Sequence, residues 1–187
     1  MQDVPTRSAT YDDLIAVPPH LVAEIIGGRL VTHPRPAPRQ STSASRLGVI
    51  LGRSFDWELG GTPGGGWIID EPELHLGSEI LVPDIAGWRR ERMERLPDTA
   101  WFDIVPDWVC EVLSPSTIRY DKGEKRDIYG RKGVKHLWHV DVATRLLEVF
   151  ELTAERWVLL ETFRDAASVA APPFDAVPFD LGVLWDD

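Results

Sequence analysis

Two carboxylates stand alone inside apolar stretches of the chain. Glu111 lies in DWVCEVLSPST (107–117), with WVC before it and VL after. Asp84 lies in EILVPDIAGW (79–88), directly after Pro83. A carboxylate in an apolar interior is costly unless it takes up a proton, a partner charge or a metal ion. Along extended backbone Val82, Asp84 and Ala86 share one face, and so do Val109, Glu111 and Leu113. If the two strands are neighbours, the acids converge near strand ends. An all-oxygen pair of this kind selects a hard cation, Mg²⁺ or Mn²⁺, with water completing the shell. Two plainer explanations compete. Asp after Pro is a common turn former, and Glu111 could pair with an Arg or Lys as a structural ion pair.

The segment that follows adds cations. Asp121 and Glu124 fit the cap and third positions of a helical capping box, and Gly133 fits a C-terminal stop. Ile128 and Tyr129 are the only large apolar residues between them, so they define the face turned to the sheet. Lys125 lies three and four positions earlier, on or beside that face, and Lys122 one step further out. A Lys beside a metal-bound phosphate can orient the attacking water and offset charge developing on phosphorus. For Lys122 and Arg126 a solvated helix surface is the stronger reading; for Lys125 both stand.

Other candidates fall away. His75, His136 and His139 form no metal pair, since the last two point to opposite faces of a strand. His20 and His33 flank turns and read as surface residues. Ser114 and Ser116 belong to turn chemistry, with no His placed to activate them. GGTPGGG (60–66) lacks the Lys-Ser/Thr pair of a phosphate-binding loop. Most of the eight Trp sit at strand positions, where core packing explains them.

The elements that must position these residues are legible in outline. TYDDLIAV (10–17) reads as a short helix capped by Thr10. LVAEIIGGRLVTH (21–33) reads as a hairpin about Gly27-Gly28. PRPAPR (34–39) is a linker or exposed loop, and 41–59 a long helix with Leu47, Ile50, Leu51, Phe55 and Leu59 at helical spacing. Residues 67–76 and 79–88 suggest a second hairpin joined at Gly77-Ser78. RRERMER (89–95) is a loop or short surface helix. Residues 136–142, 145–152 and 156–163 alternate as antiparallel meander strands. The Pro- and Asp-rich tail reads as a surface-hugging extension. The sum is an α/β domain with a mixed sheet.

At 187 residues the chain suits a single domain, 1–187, able to bury a real core. Its lone Cys110 excludes an internal disulfide and a thiolate cluster. The N-terminus lacks signal-peptide layout and no apolar run reaches bilayer length, so a bacterial-type cytoplasmic setting without membrane contact is expected. The net charge of -10 argues against a nucleic-acid partner, yet its distribution softens that. Residues 25–55 hold five Arg and no acid, and 119–135 hold seven bases against three acids. Such patches can meet a phosphate backbone, or simply keep the protein in solution.

The order AEIIGGRLV, EILVPDIAGW, DWVCEVLSPST, YDKGEKRDIYGRKGVKHLWHVD resembles the Uma-type restriction endonuclease family, within the PD-(D/E)XK nuclease superfamily. The resemblance runs from about 11 to 152, leaving 153–187 as a C-terminal strand and extension. It implies a restriction-endonuclease-like core and Mg²⁺- or Mn²⁺-dependent hydrolysis of DNA phosphodiester bonds. It makes Asp84 the Asp of the Pro-Asp motif and Glu111 the second acidic ligand. Leu113 stands where the superfamily motif places its lysine; in this branch a lysine of the next helix substitutes, here Lys125. Glu24 matches an additional acidic residue that assists the metal shell. Gln40-Ser41 stand where many relatives carry a histidine. On this reading Lys122 and Tyr129 lie at the substrate side, Tyr129 packing beneath Lys125, and a homodimer is expected because many such nucleases pair to cut two strands. The rival is a non-catalytic binding or assembly module that kept the fold.

Overall fold

The computed structural model of the chain describes residues 7–57 and 64–185. Helix α1 (Tyr11–Ile15) opens with reciprocal hydrogen bonds between Thr10 and Asp13. Strands β1 (Leu21–Ile26) and β2 (Arg29–Pro34) pair antiparallel about Gly27-Gly28, whose φ of +58° and +74° are values a two-residue primed turn demands. Strands β4 (Leu74–Leu76) and β5 (Glu79–Leu81) turn at Gly77-Ser78. Together these strands make a four-stranded sheet of order β2-β1-β5-β4.

Residues 67–88 are therefore not one long hairpin. The inner arms, β4 and β5, belong to the small sheet. The outer arms, β3 (Gly66–Asp70) and β6 (Ile85–Arg89), pair with each other in a second, larger sheet. Pro72 and Pro83 sit at the two breaks. Neither has an N–H to give to a ladder, so the pairing cannot run through. Asp84 follows the second break directly.

The large sheet has the order β10-β9-β8-β7-β6-β3, with β7 (Trp108–Val112), β8 (His136–Asp141), β9 (Leu146–Thr153) and β10 (Arg156–Arg164). β7 and β8 are parallel and all other neighbours antiparallel, so the sheet is mixed and closes in the expected meander. The parallel crossover consists of α3 (Ile118–Tyr120), a π-helical turn at Asp121–Lys125, and α4 (Arg126–Lys132), which stops at Gly133 with φ +83°. Asp121 is thus no cap, and the expected capping box with Glu124 is absent: the helix has already begun, and Asp121 turns inward.

Helix α2 (Pro38–Leu51) runs into a second π-helical turn, Gly52–Asp56. It starts at Pro38, inside the stretch expected to be linker, because proline's fixed φ suits a first helical position. The expected end of this helix, residues 58–59, and residues 60–63 of the glycine loop lie outside the described residues. Alternation along β7 splits the core in two. Trp108, Cys110 and Val112 pack with Leu47 and Leu51 of α2; Val109 packs with Ala86, Ile128 and Tyr129 on the other face. The tail is a correction too. Its strands β11 (Ser168–Val169) and β12 (Phe179–Asp180) and the 3₁₀ turn Leu181–Leu184 bury Val169, Ala171, Phe174, Leu181 and Leu184 in the first cluster. Its apolar residues follow neither a helical nor a strand period, so the sequence pattern carried no packing signal. No described helix is long and apolar enough to cross a membrane.

Candidate active site

The seam between the sheets gathers the acids. β6 and β7 pair with Ile85 opposite Cys110, a register that sets Asp84 opposite Glu111. Asp84 Oδ2 accepts the Val112 N–H at 2.6 Å. Glu24 comes from β1 of the small sheet, and its Oε1 accepts the Val82 N–H at 2.8 Å. Val82 is the residue at which the chain leaves one sheet for the other. Its N–H goes to Glu24 and its carbonyl accepts from Lys125 Nζ at 3.3 Å, so the crossing backbone is satisfied by site side chains instead of a ladder.

Lys125 stands at the centre. Its Nζ lies 3.0 Å from Glu24 Oε1, 3.0 Å from Glu111 Oε1 and 3.5 Å from Asp121 Oδ1. The π-helical turn widens the backbone enough to turn both Asp121 and Lys125 inward, four residues apart. Tyr129, with no exposed surface, donates its hydroxyl to Glu111 Oε1 at 2.7 Å. Lys122 does not reach this cluster; it pairs with Glu148 at 2.7 Å. A cavity of about 40 Å³ opens among His33, Glu71, Asp84, Glu111, Asp121 and Lys125.

The charges do not balance. One ammonium faces Glu24, Asp84, Glu111 and Asp121, all buried or nearly so. Burial opposes the charge on Lys125, but Glu111 and Glu24 outweigh it and hold the ammonium protonated. Burial also opposes ionisation of Glu24, yet Lys125, His33 and the Val82 N–H together keep its carboxyl below the ordinary range. The deficit falls on the other three, and for Asp121 burial outweighs Lys125 and raises its carboxyl. Burial lifts Asp84 to about 7, with Asp121 and Glu71 adding to the rise. Burial lifts Glu111 well above its ordinary value, and Asp121, Asp84 and Glu24 push the same way against Lys125.

A family model described as Uma2, "Putative restriction endonuclease", matches residues 9–181. The chain belongs to the Uma2 family. Its fold is similar to that of a solved protein from Anabaena variabilis ATCC 29413, described as "a putative nuclease belonging to DUF820". The TM-score is 0.74, at 22% sequence identity, over 95% of this chain and 97% of that one. At that identity the likeness is one of fold: the restriction-endonuclease-like α/β arrangement. No curated protein matches the chain.

Restriction-endonuclease-like families generally use divalent metals, which would need oxygen donors at the seam. Among the described residues no three His, Cys, Asp or Glu side chains are grouped to hold one. Lys125 occupies the point where Glu24, Glu111 and Asp121 meet. Asp84 and Glu111 nevertheless fit: both are oxygen donors whose ionised form burial disfavours, and a hard cation would stabilise that form in each.

Two members of this cluster escaped the sequence reading. His33, expected at the surface, lines the cavity with its Nε2 3.2 Å from Glu24 Oε2. Extending the register of the Gly27-Gly28 hairpin would have found it, because Val22 pairs with His33 and Glu24 shares Val22's face. Asp121 carried no such signal, since nothing in its neighbours distinguishes a π-helical turn from a cap.

Proposed function

We propose that this protein is a divalent-metal-dependent endonuclease that hydrolyses DNA phosphodiester bonds, with Asp84 and Glu111 holding Mg²⁺ or Mn²⁺. The observation that carries the reading is the surplus of buried carboxylates over cations at the seam, with Lys125 as sole ammonium among them. When bound, the ion supplies Lewis acidity toward a phosphate oxygen and a lowered pKa for a coordinated water. The chain's own residues do the rest. Glu24 anchors Lys125 and the Val82 N–H, fixing the ammonium at the cavity wall. Lys125 keeps its proton and presents positive charge where a phosphate's charge would build up. Tyr129 touches no surface and acts through Glu111, whose carboxylate it orients. Lys122, tied to Glu148, contributes at most to the approach of the strand. A cytoplasmic homodimer is part of the same proposal.

Glu111→Ala is the test. It should abolish Mn²⁺-dependent cleavage of plasmid DNA while leaving the circular dichroism spectrum folded. Cleavage at the wild-type rate would remove the proposal. The non-catalytic reading has its own supporting observation: Lys125 is 3% exposed and fully engaged, beside a cavity of only about 40 Å³. Calorimetry separates the two, because that reading expects no Mn²⁺ uptake by the wild-type chain.

A further inference from the structure

The opposite end of the same strands holds a second cavity, of about 630 Å³, in the range of small-molecule sites. It opens where β3 and β8 begin, β7 begins and β6 ends. Its floor is a single cross-strand row: Ile68 beside Gly87, Gly87 beside Trp108, Trp108 beside His136. This row lies on the α2 face of the sheet, whereas Val109 and Glu111 turn to the other. Gly87 makes the row possible. A Cβ there would come within 3.3 Å of both Ile68 Cδ1 and Trp108 Cε3, so its absence lets the indole lie across β6. Phe174 and Trp138 meet the Trp108 ring edge-on at 4.9 and 5.4 Å and fix its plane.

Two polar atoms of this floor are left over. The indole N–H groups of Trp67, Trp88, Trp138, Trp157 and Trp185 each donate to a backbone carbonyl. Trp108 is 1% exposed, and its Nε1 has no hydrogen-bond partner among the described residues; neither has Nδ1 of its neighbour His136. Buried polar atoms without partners are uncommon and costly, so each calls for a specific explanation. The lining carries two bases, Arg89 and Lys135, and two acids, Asp107 and Glu91. Asp107 is occupied by Arg89 Nε at 3.1 Å and Arg92 at 2.9 Å. That leaves the terminal N–H groups of Arg89 and the ammonium of exposed Lys135 facing outward, against a single acid, Glu91, at the mouth.

We infer that this cavity binds a planar heteroaromatic ring bearing hydrogen-bond acceptors and an anionic substituent, of the nucleoside monophosphate type, with the ring edge on Trp108 and His136 and the anion on Arg89 and Lys135. The inference does not rest on the nuclease reading, since its residues occupy the other end and other face of the sheet.

The full-length ¹⁵N-labelled chain, titrated with adenosine and thymidine 5′-monophosphates, tests it. The indole resonance absent from Trp108→Phe should shift and saturate. His136→Gln provides an independent reporter should Trp108→Phe fold poorly. Replacing Arg89 and Lys135 together by Gln should weaken binding about tenfold or more. An unmoved Trp108 resonance overturns the assignment. So does an equal shift with ribose 5-phosphate, which would mean an anion site without a ring, or loss of the shift in Asp84→Asn, which would put the nucleotide at the acidic seam. A shift produced by an oligothymidine strand but by neither mononucleotide overturns it as well.

Discussion

A lysine that touches three carboxylates holds more than its own place. Removing Lys125 leaves Glu24, Glu111 and Asp121 without their cation in a buried seam, and unpairing a buried ion of this kind costs about 3–5 kcal/mol. Lys125→Ala should therefore lower stability by that order in urea denaturation at pH 7.5. The loss should shrink near pH 5, where the carboxyls can take up protons instead. His139 gives a second residue-scale prediction. It is 1% exposed, and burial, aided by Lys122 and Arg126, depresses its imidazole to about 3 from 6.5. Glu148 lies 3.9 Å from its Nδ1 but is already taken by Lys122, so it does not reverse the shift. The unfolded chain binds this proton below pH 6.5 and the folded chain refuses it until about 3. Stability from this group is whole above 6.5 and falls with acid, by roughly 1.4 kcal/mol per pH unit inside that window. Denaturation between pH 4 and 7 should show a shallower acid decline for His139→Leu; an identical slope would exclude this histidine as the cause.

At the scale of elements, the crossover from β7 to β8 decides the site. The π-helical turn must hand over to α4 at a fixed phase for Lys125 and Tyr129 to face Glu111 together. Gly133 ends α4 with φ +83°, a conformation that costs an L side chain about 1 kcal/mol. Open space surrounds it, so Gly133→Ala isolates the backbone term. That variant should lose about 1 kcal/mol in chemical denaturation with no change in Mn²⁺ binding. A change in metal binding would mean that the helix end sets the site more tightly than its packing implies. The seam itself arises from two prolines. Because Pro72 and Pro83 interrupt what would be one hairpin, the chain changes sheets beside Asp84, and Glu24 can reach across to the Val82 N–H that no ladder uses.

For the molecule as a whole, the tail behaves as core. Phe174 sits among Phe55, Trp108 and Trp138, and the Trp138 indole donates to Pro172. Each large side chain withdrawn from such a cluster costs about 2–5 kcal/mol, against a total stability of about 5–15 kcal/mol for a domain of ordinary size. A chain ending at Asp165 should therefore fail to fold cooperatively, with loss of near-ultraviolet dichroism and of a sigmoidal melt. A sharp transition in the truncated chain would show that the two sheets suffice.

How much of this was legible beforehand follows from the range of the forces involved. Local rules covered the Thr10 cap, the Gly27-Gly28 turn and the Gly133 stop, because each depends on neighbours within a few residues. The two lone carboxylates were conspicuous for the same reason: burying a charge is costly wherever it occurs, so their setting in VPDIA and VCEVL already demanded a partner. The resemblance then joined them to Lys125. What only the tertiary structure decided was who partners whom. That the second hairpin divides between sheets, that Asp121 turns in rather than capping, that His33 joins Glu24, and that an aperiodic tail fills the core all depend on contacts between segments far apart in the chain, which no local pattern encodes.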